Sequence, residues 1–290
     1  MRLPTILVVL FAATSLAAQP RVVALDQCAD QYVLALSPRA GIAQLSNRAL
    51  NTDSYLRDAA KGLPRGRADT ETVLAKHPDV VVRWWGGEPR LLADLNRRGV
   101  TVVRLEDAED FAGVRRNVRV VAAALGQRPA GEWLIANMDR RLVASAGAWG
   151  GRGGLYLSSG GATAGRGTLI DAMMRAAGLT NLDASVGFHT VSLEGLVAHP
   201  PSAVVQGFFD APEAGAASWG VGRHLVLRRL IAGRTLVSLP SAVLACPAWF
   251  AADGVELIAR AAQRGPAFQF ENRRLPRKSG GSDFLSGSKN

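Results

Sequence analysis

Cysteine is nearly absent: Cys28 and Cys246 are the only two in 290 residues. A disulfide-stapled mini-protein is excluded, and two thiols with no histidine at ligand spacing cannot make a structural zinc site. Lysine is scarce too, four of 34 basic residues, so arginine carries the formal charge of +10. Part of that charge lies in the tail Arg264 to Asn290, which is net +4. The body has no basic run with interleaved aromatics, which argues against a nucleic-acid partner. Long apolar runs are missing after the N terminus, and none approaches the roughly 20 residues a bilayer span needs. Catalytic signatures are missing as well. There is no Gly-x-Ser-x-Gly elbow, no His-Glu-x-x-His, and no carboxylate pair spaced for a shared task, so no catalytic residue, resident metal or cofactor is expected.

The chain has a globular balance, 48% hydrophobic and 20% charged residues, enough to bury a large core. Arg2, an apolar run from Leu3 to Ala13, and small residues Ser15 and Ala17 read as a secretory signal peptide over residues 1–18. No cysteine directly follows that run, so no lipid anchor is expected and the mature protein reads as soluble and periplasmic. In an exported chain Cys28 and Cys246 are expected to pair; two unpaired thiols or two thiolate ligands are the alternatives.

Short apolar runs alternate with amphipathic stretches. Arg21–Leu25, Gly41–Leu45, Val80–Arg83 and Thr101–Leu105 read as buried strands, with helices over Asp30–Leu36, Thr70–Ala75 and Pro89–Arg98. Thr70 is the expected N-cap of the second helix. Phe111–Leu125 and Pro129–Ala146 are then two helices with no strand between them, after which alternation resumes at Leu155. The expected fold is α/β: two Rossmann-like lobes with mainly parallel sheets joined by one long rigid helix. Residues 19–110 form the N-terminal lobe, 111–149 the helical connector, 150–264 the C-terminal lobe, and 265–290 a basic, disordered tail.

One unit occurs twice. Glu71-Thr-Val-Leu-Ala-Lys-His-Pro78-Asp-Val-Val-Val82 and Glu194-Gly-Leu-Val-Ala-His-Pro-Pro201-Ser-Ala-Val-Val205 align without gaps: a Glu opening a short helix, a proline turn, a buried strand. The first strand runs into Trp84-Trp85-Gly86-Gly87 and the second into Phe208-Phe209. Ligands of open α/β sheets bind outside the carboxyl ends of strands, so facing lobes would offer an aromatic crevice. Gly160 to Thr168 is rich in glycine, but Arg166 stands where a nucleotide loop needs Lys; it reads as a loop bordering the cleft. His77 and His199 sit beside prolines at the ends of the repeated helices.

Arg21-Val-Val-Ala-Leu25, the Glu71 unit, Trp84-Trp-Gly-Gly87, Thr168-Leu-Ile-Asp-Ala-Met-Met-Arg-Ala-Ala-Gly178 and Ser192-Leu-Glu194 together resemble the periplasmic substrate-binding proteins of ABC importers for cobalamin and iron-siderophores. The resemblance covers Arg21 to Gln263. It implies a ligand held between the lobes, delivery to an inner-membrane permease with its cytoplasmic ATPase, and a monomer. It also implies that Glu71 and Glu194 dock onto permease arginines, that Trp84 packs against the ligand, and that Trp249 and Phe250 fall near a second lining segment. With Trp85, Phe208 and Phe209, and with Arg83 and Arg166 as the nearby cations, aromatics outnumber charges and favour a corrinoid over an iron-siderophore. Haem ranks behind both, Tyr32 and His189 being its only candidate axial ligands. An exported hydrolase using His189 or His224, and a scaffold module with no small-molecule ligand, are the competing classes.

Overall fold

The computed structural model describes residues 19–208, 210, 229 and 233–264. The expected signal peptide, Phe209, His224 and the tail lie outside them.

The N-terminal lobe opens with β1 (Val22–Ala24), α1 (Gln27–Leu36), β2 (Ile42–Ser46) and β3 (Arg65–Gly66). It continues through α2 (Thr70–Leu74), β4 (Val80–Arg83), α3 (Pro89–Arg97) and β5 (Thr101–Arg104). The strands are parallel in the order β3-β2-β1-β4-β5. Every residue of β1 is buried, as a strand covered on both faces requires. Chain order reverses beside β1, placing a switch point at the carboxyl ends of β1 and β4.

Two connector helices follow, α4 (Phe111–Ala124) and α5 (Arg128–Ser145). Pro129 sits in the first turn of α5, where its missing N–H costs nothing. Eighteen residues make α5 about 27 Å long at the standard rise.

The C-terminal lobe contains β6 (Gly153–Ser158), β7 (Ala162–Ala164), α6 (Leu169–Ala176), β8 (Thr180–Asn181), β9 (Phe188–Thr190), α7 (Leu193–Ala198), β10 (Ala203–Gly207) and β11 (Thr235–Leu239). It ends with α8 (Ser241–Leu244) and α9 (Ala251–Ala261). Its main sheet is parallel, in the order β11-β10-β6-β8. Alongside it β7 and β9 form an antiparallel ribbon in which Thr163 faces His189. This ribbon is a correction to the continuous glycine-rich loop expected from Gly160 to Thr168. A second correction concerns α2, whose N-cap is Asp69: its carboxylate accepts from Thr72 N–H at 2.8 Å, and Thr70 is already helical.

The largest buried cluster spans both lobes and the connector. After α8 the chain returns to the N-terminal lobe. Cys246 bonds to Cys28 with an S–S distance of 2.09 Å, and the Tyr32 hydroxyl donates to Pro247 C=O at 2.6 Å. Phe250 stacks on Tyr55 with ring centroids 4.1 Å apart, and the Tyr55 hydroxyl donates to Asp253 at 2.6 Å. Arg141 of α5 holds Asp253 at 2.5 Å and Glu256 at 2.6 Å. Residues 245–256 therefore rivet the connector and both lobes together.

Candidate functional site

The site is built from strand ends. Asp26 follows β1 and is 1% exposed. One carboxylate oxygen caps α1 by accepting from Ala29 N–H at 2.9 Å. The other accepts three backbone N–H groups of the loop after β4: Trp84 at 2.7 Å, Trp85 at 3.2 Å and Gly86 at 3.0 Å. A single side chain thus fixes the course of the tryptophan loop. Gly86 is required there, because a Cβ would lie 2.7 Å from Leu25 C=O. Deeper in the same helix Asp30 accepts from Ser46 N–H at 2.8 Å and Ser46 Oγ at 2.5 Å. Desolvation raises its pKa to about 7 despite those bonds.

Trp84 enters a crevice of about 340 Å³ between the lobes. Asp107, Ala108 and Glu109, which follow β5, complete the N-terminal wall. The opposite wall is the start of α6 from Gly167 through Met173, with Gly187 and Phe188 on the ribbon. Residues 243–247 form the floor, so disulfide-bonded Cys246 lines the crevice. Thr168 caps α6, its Oγ1 accepting from Asp171 N–H at 3.1 Å.

The expected lining residues scatter around this crevice. Trp84 lines it, half-buried. Trp85 points elsewhere: it is 56% exposed and borders a shallow groove with Arg67, Asp69 and Glu88. The Arg83 guanidinium donates to Gly86 C=O at 2.6 Å and Trp85 C=O at 3.1 Å, so it braces the loop. Arg166 donates to Ala184 C=O at 2.8 Å and is absent from the crevice wall. Phe208, half-buried with φ 62°, ends β10 in a conformation rare for an aromatic and is also absent from that wall. Phe250, 1% exposed, and Trp249, 8% exposed, pack with Tyr32 and Tyr55 in the inter-lobe core.

Glu71 and Glu194 are both exposed and occupy the first turns of α2 and α7, one on each lobe. Cys28 sits within the first turn of α1 rather than in a loop. Neither expected haem ligand reaches the crevice wall: Tyr32 is fully buried, its ionisation suppressed by desolvation. His189 lies on β9, paired with Asp183 at 2.7 Å over a separate pocket of about 440 Å³. Phe188, Asp107 and Glu109 were not anticipated. Asp107 and Glu109 had a signal, since Glu106 to Asp110 follows the strand β5 at a carboxyl end.

A model of the family described as periplasmic binding protein matches residues 22–207. The chain belongs to the periplasmic binding protein family. It binds a solute and is not an enzyme. The fold resembles a periplasmic haem-binding protein from Pseudomonas aeruginosa at 26% identity and TM-score 0.65, over 86% of this chain and 94% of that one. Periplasmic haem-binding BhuT, solved with two haems, is also 26% identical, at TM-score 0.64 over 84% and 99%. The vitamin B12-binding BtuF of Vibrio cholerae, at 19% identity and TM-score 0.62 over 85% and 97%, shares the fold. No curated protein matches the sequence. Among the described residues no helix is long and apolar enough to cross a membrane.

Proposed function

We propose that this protein is the periplasmic solute-binding component of an ABC importer, a monomer that captures a metal chelate between its lobes and delivers it to the permease. The observation that carries this reading is the chemistry of the crevice. Among the described residues its wall is mainly apolar, with Trp84, Phe188, Leu169, Ile170, Met173 and Val243; it carries the carboxylates Asp107 and Glu109 but no histidine, tyrosine or free thiol. Such a wall grips a ligand through its organic shell and leaves the metal's coordination to the chelator. A corrinoid fits this description: its ring edge packs on Trp84, one part of it fills the 340 Å³ crevice, and the remainder stands in the open mouth. An iron-siderophore with an apolar shell is the alternative. Haem is the further reading, because the two structures at 26% identity are haem-binding proteins; its iron would need an axial ligand that the described wall lacks.

Glu71 and Glu194 are the docking charges in this reading, supported by their exposure and matching helix-terminal positions on the two lobes. Calorimetric titration with cyanocobalamin, a neutral ferric hydroxamate and haemin tests the ligand. Stoichiometric binding of cyanocobalamin, weakened by Trp84→Ala, is expected. Binding of haemin alone would overturn the corrinoid assignment. Converting both Glu71 and Glu194 to Lys should abolish uptake and leave ligand affinity unchanged; a parallel loss of affinity would remove them from the docking role.

A further inference from the structure

Among the described residues the crevice wall is negative, although the chain carries a formal charge of +10. Among the described residues its wall carries two carboxylates, Asp107 and Glu109, and no Arg, Lys or His, in a chain with 34 basic and 24 acidic residues. The two arginines closest in sequence to the crevice loops, Arg83 and Arg166, spend their guanidinium groups on backbone carbonyls.

The acidic segment after β5 divides by role. Glu106 is neutralised by Arg116 at 2.6 Å, and Asp110 caps α4 by accepting from Gly113 N–H at 2.8 Å. The remaining two, Asp107 and Glu109, have no hydrogen-bond or ion-pair partner among the described residues, and these are the two that face the crevice. Glu109 also reaches across the cleft: a Cβ on Gly167 of the opposite lobe would lie 3.5 Å from its Oε2. Capping does not account for it, because α6 is already capped by Thr168 and carries Asp171 in its first turn.

We propose that Asp107 and Glu109 are specificity determinants that make the crevice select neutral and cationic metal chelates and reject anionic ones. The proposal deepens the chelate-capture reading and rests on it. Both carboxylates are exposed where they line the crevice, so they act on a ligand charge through solvent and salt screens them. Rejection of an anion works through repulsion rather than through a missing contact.

Matched probes of different charge test this. Cyanocobalamin is compared with its monocarboxylic acid derivative, in which one peripheral amide has become a carboxylate. Ferrioxamine B, which has a free ammonium, is compared with its N-succinyl form, which ends in a carboxylate. In whichever pair binds, the less negative member should bind about three- to tenfold tighter per charge unit, and the gap should narrow as salt is raised. The Asp107→Asn/Glu109→Gln double variant should lose most of that gap. The salt titration of the unaltered protein stands even if the variant folds poorly. Equal or tighter binding of the anionic members, or an unchanged gap in the double variant, overturns the charge inference and leaves chelate capture intact. Haemin binding with no response to either pair would do the same, since haemin carries two propionates. Absence of binding by every chelate would overturn both readings.

Discussion

The two lobes carry one repeated unit and finish it differently. In each, a helix opened by an exposed Glu leads through a proline turn into a central buried strand, β4 or β10. Beyond the strand the N-terminal lobe fixes its crevice loop with a buried carboxylate, Asp26, that accepts three backbone N–H groups. The C-terminal lobe relies on close backbone approach and an added ribbon. At the end of β10 a Cβ on Gly207 would lie 2.3 Å from the Tyr156 hydroxyl oxygen, and the ligand-facing aromatic, Phe188, is delivered by β9. The repeated strands supply the frame, and the unrepeated strand ends supply the site. One lobe thus holds its strand-end loop by hydrogen bonds and the other by packing.

The strongest way to break the contrast is to remove the bond that ties the crevice floor to α1. Cys28 and Cys246 are 218 residues apart, and the chain-entropy model gives about 5 kcal/mol for closing such a loop. The Cys28→Ser/Cys246→Ser variant should lose roughly that in a denaturation experiment, with ligand affinity falling too as the crevice floor loosens. Next in size, Asp26→Ala strips the acceptor from four N–H groups and should cost about 3–5 kcal/mol, whereas Gly207→Ala, at the end of β10 in the C-terminal lobe, should cost about 1–3 kcal/mol through overpacking. Equal effects would show that both strand ends are held in the same way.

Asp30 sharpens the comparison through pH. Its folded pKa of about 7 lies above the ordinary carboxylate value, so folding favours the protonated form. The stabilisation is complete below pH 4 and is lost as pH rises through 7, a change on the order of 2–4 kcal/mol. Melting curves from pH 4 to 8 should show this slope, and Asp30→Asn should flatten it. The smallest effect concerns the adjacent tryptophans. Trp84→Ala should weaken ligand binding by about 1–3 kcal/mol, and Trp85→Ala, whose ring faces away, by less than about 0.5 kcal/mol. A reversed order would move the crevice to the Trp85 side of the loop.

Much of the frame was legible because burial on both faces leaves an unbroken apolar run: Val80–Arg83 is a strand with the expected limits, and the long helix is displaced by one residue at each end. The repeat exposed the two-lobed plan because both copies keep the same length between Glu and strand. The aromatic residues were harder. Trp249-Phe250 looks like a cleft pair in sequence, and only the return of 245–253 onto Tyr32 and Tyr55 shows that it fills the core. That contact joins residues about 200 apart and leaves no local periodicity. Phe188 was invisible for a related reason. A three-residue ribbon strand has too few alternations to be read, and its direction is set by pairing with β7.

The riveting of residues 245–256 also dictates an order of assembly. Synthesis delivers the N terminus first, yet Cys28, Tyr32 and Tyr55 wait for partners encoded near the other end of the chain. The five-stranded sheet can pair as soon as β5 emerges, because all its strands precede residue 105. The α1 side of that sheet waits for residues 246–250, which bond to Cys28 and pack on Tyr32 and Tyr55. The first lobe to be made is thus the last to be sealed, and the sealing step includes formation of the Cys28–Cys246 bond. A chain stopped short of α8 would retain its strands and lack the floor of its crevice.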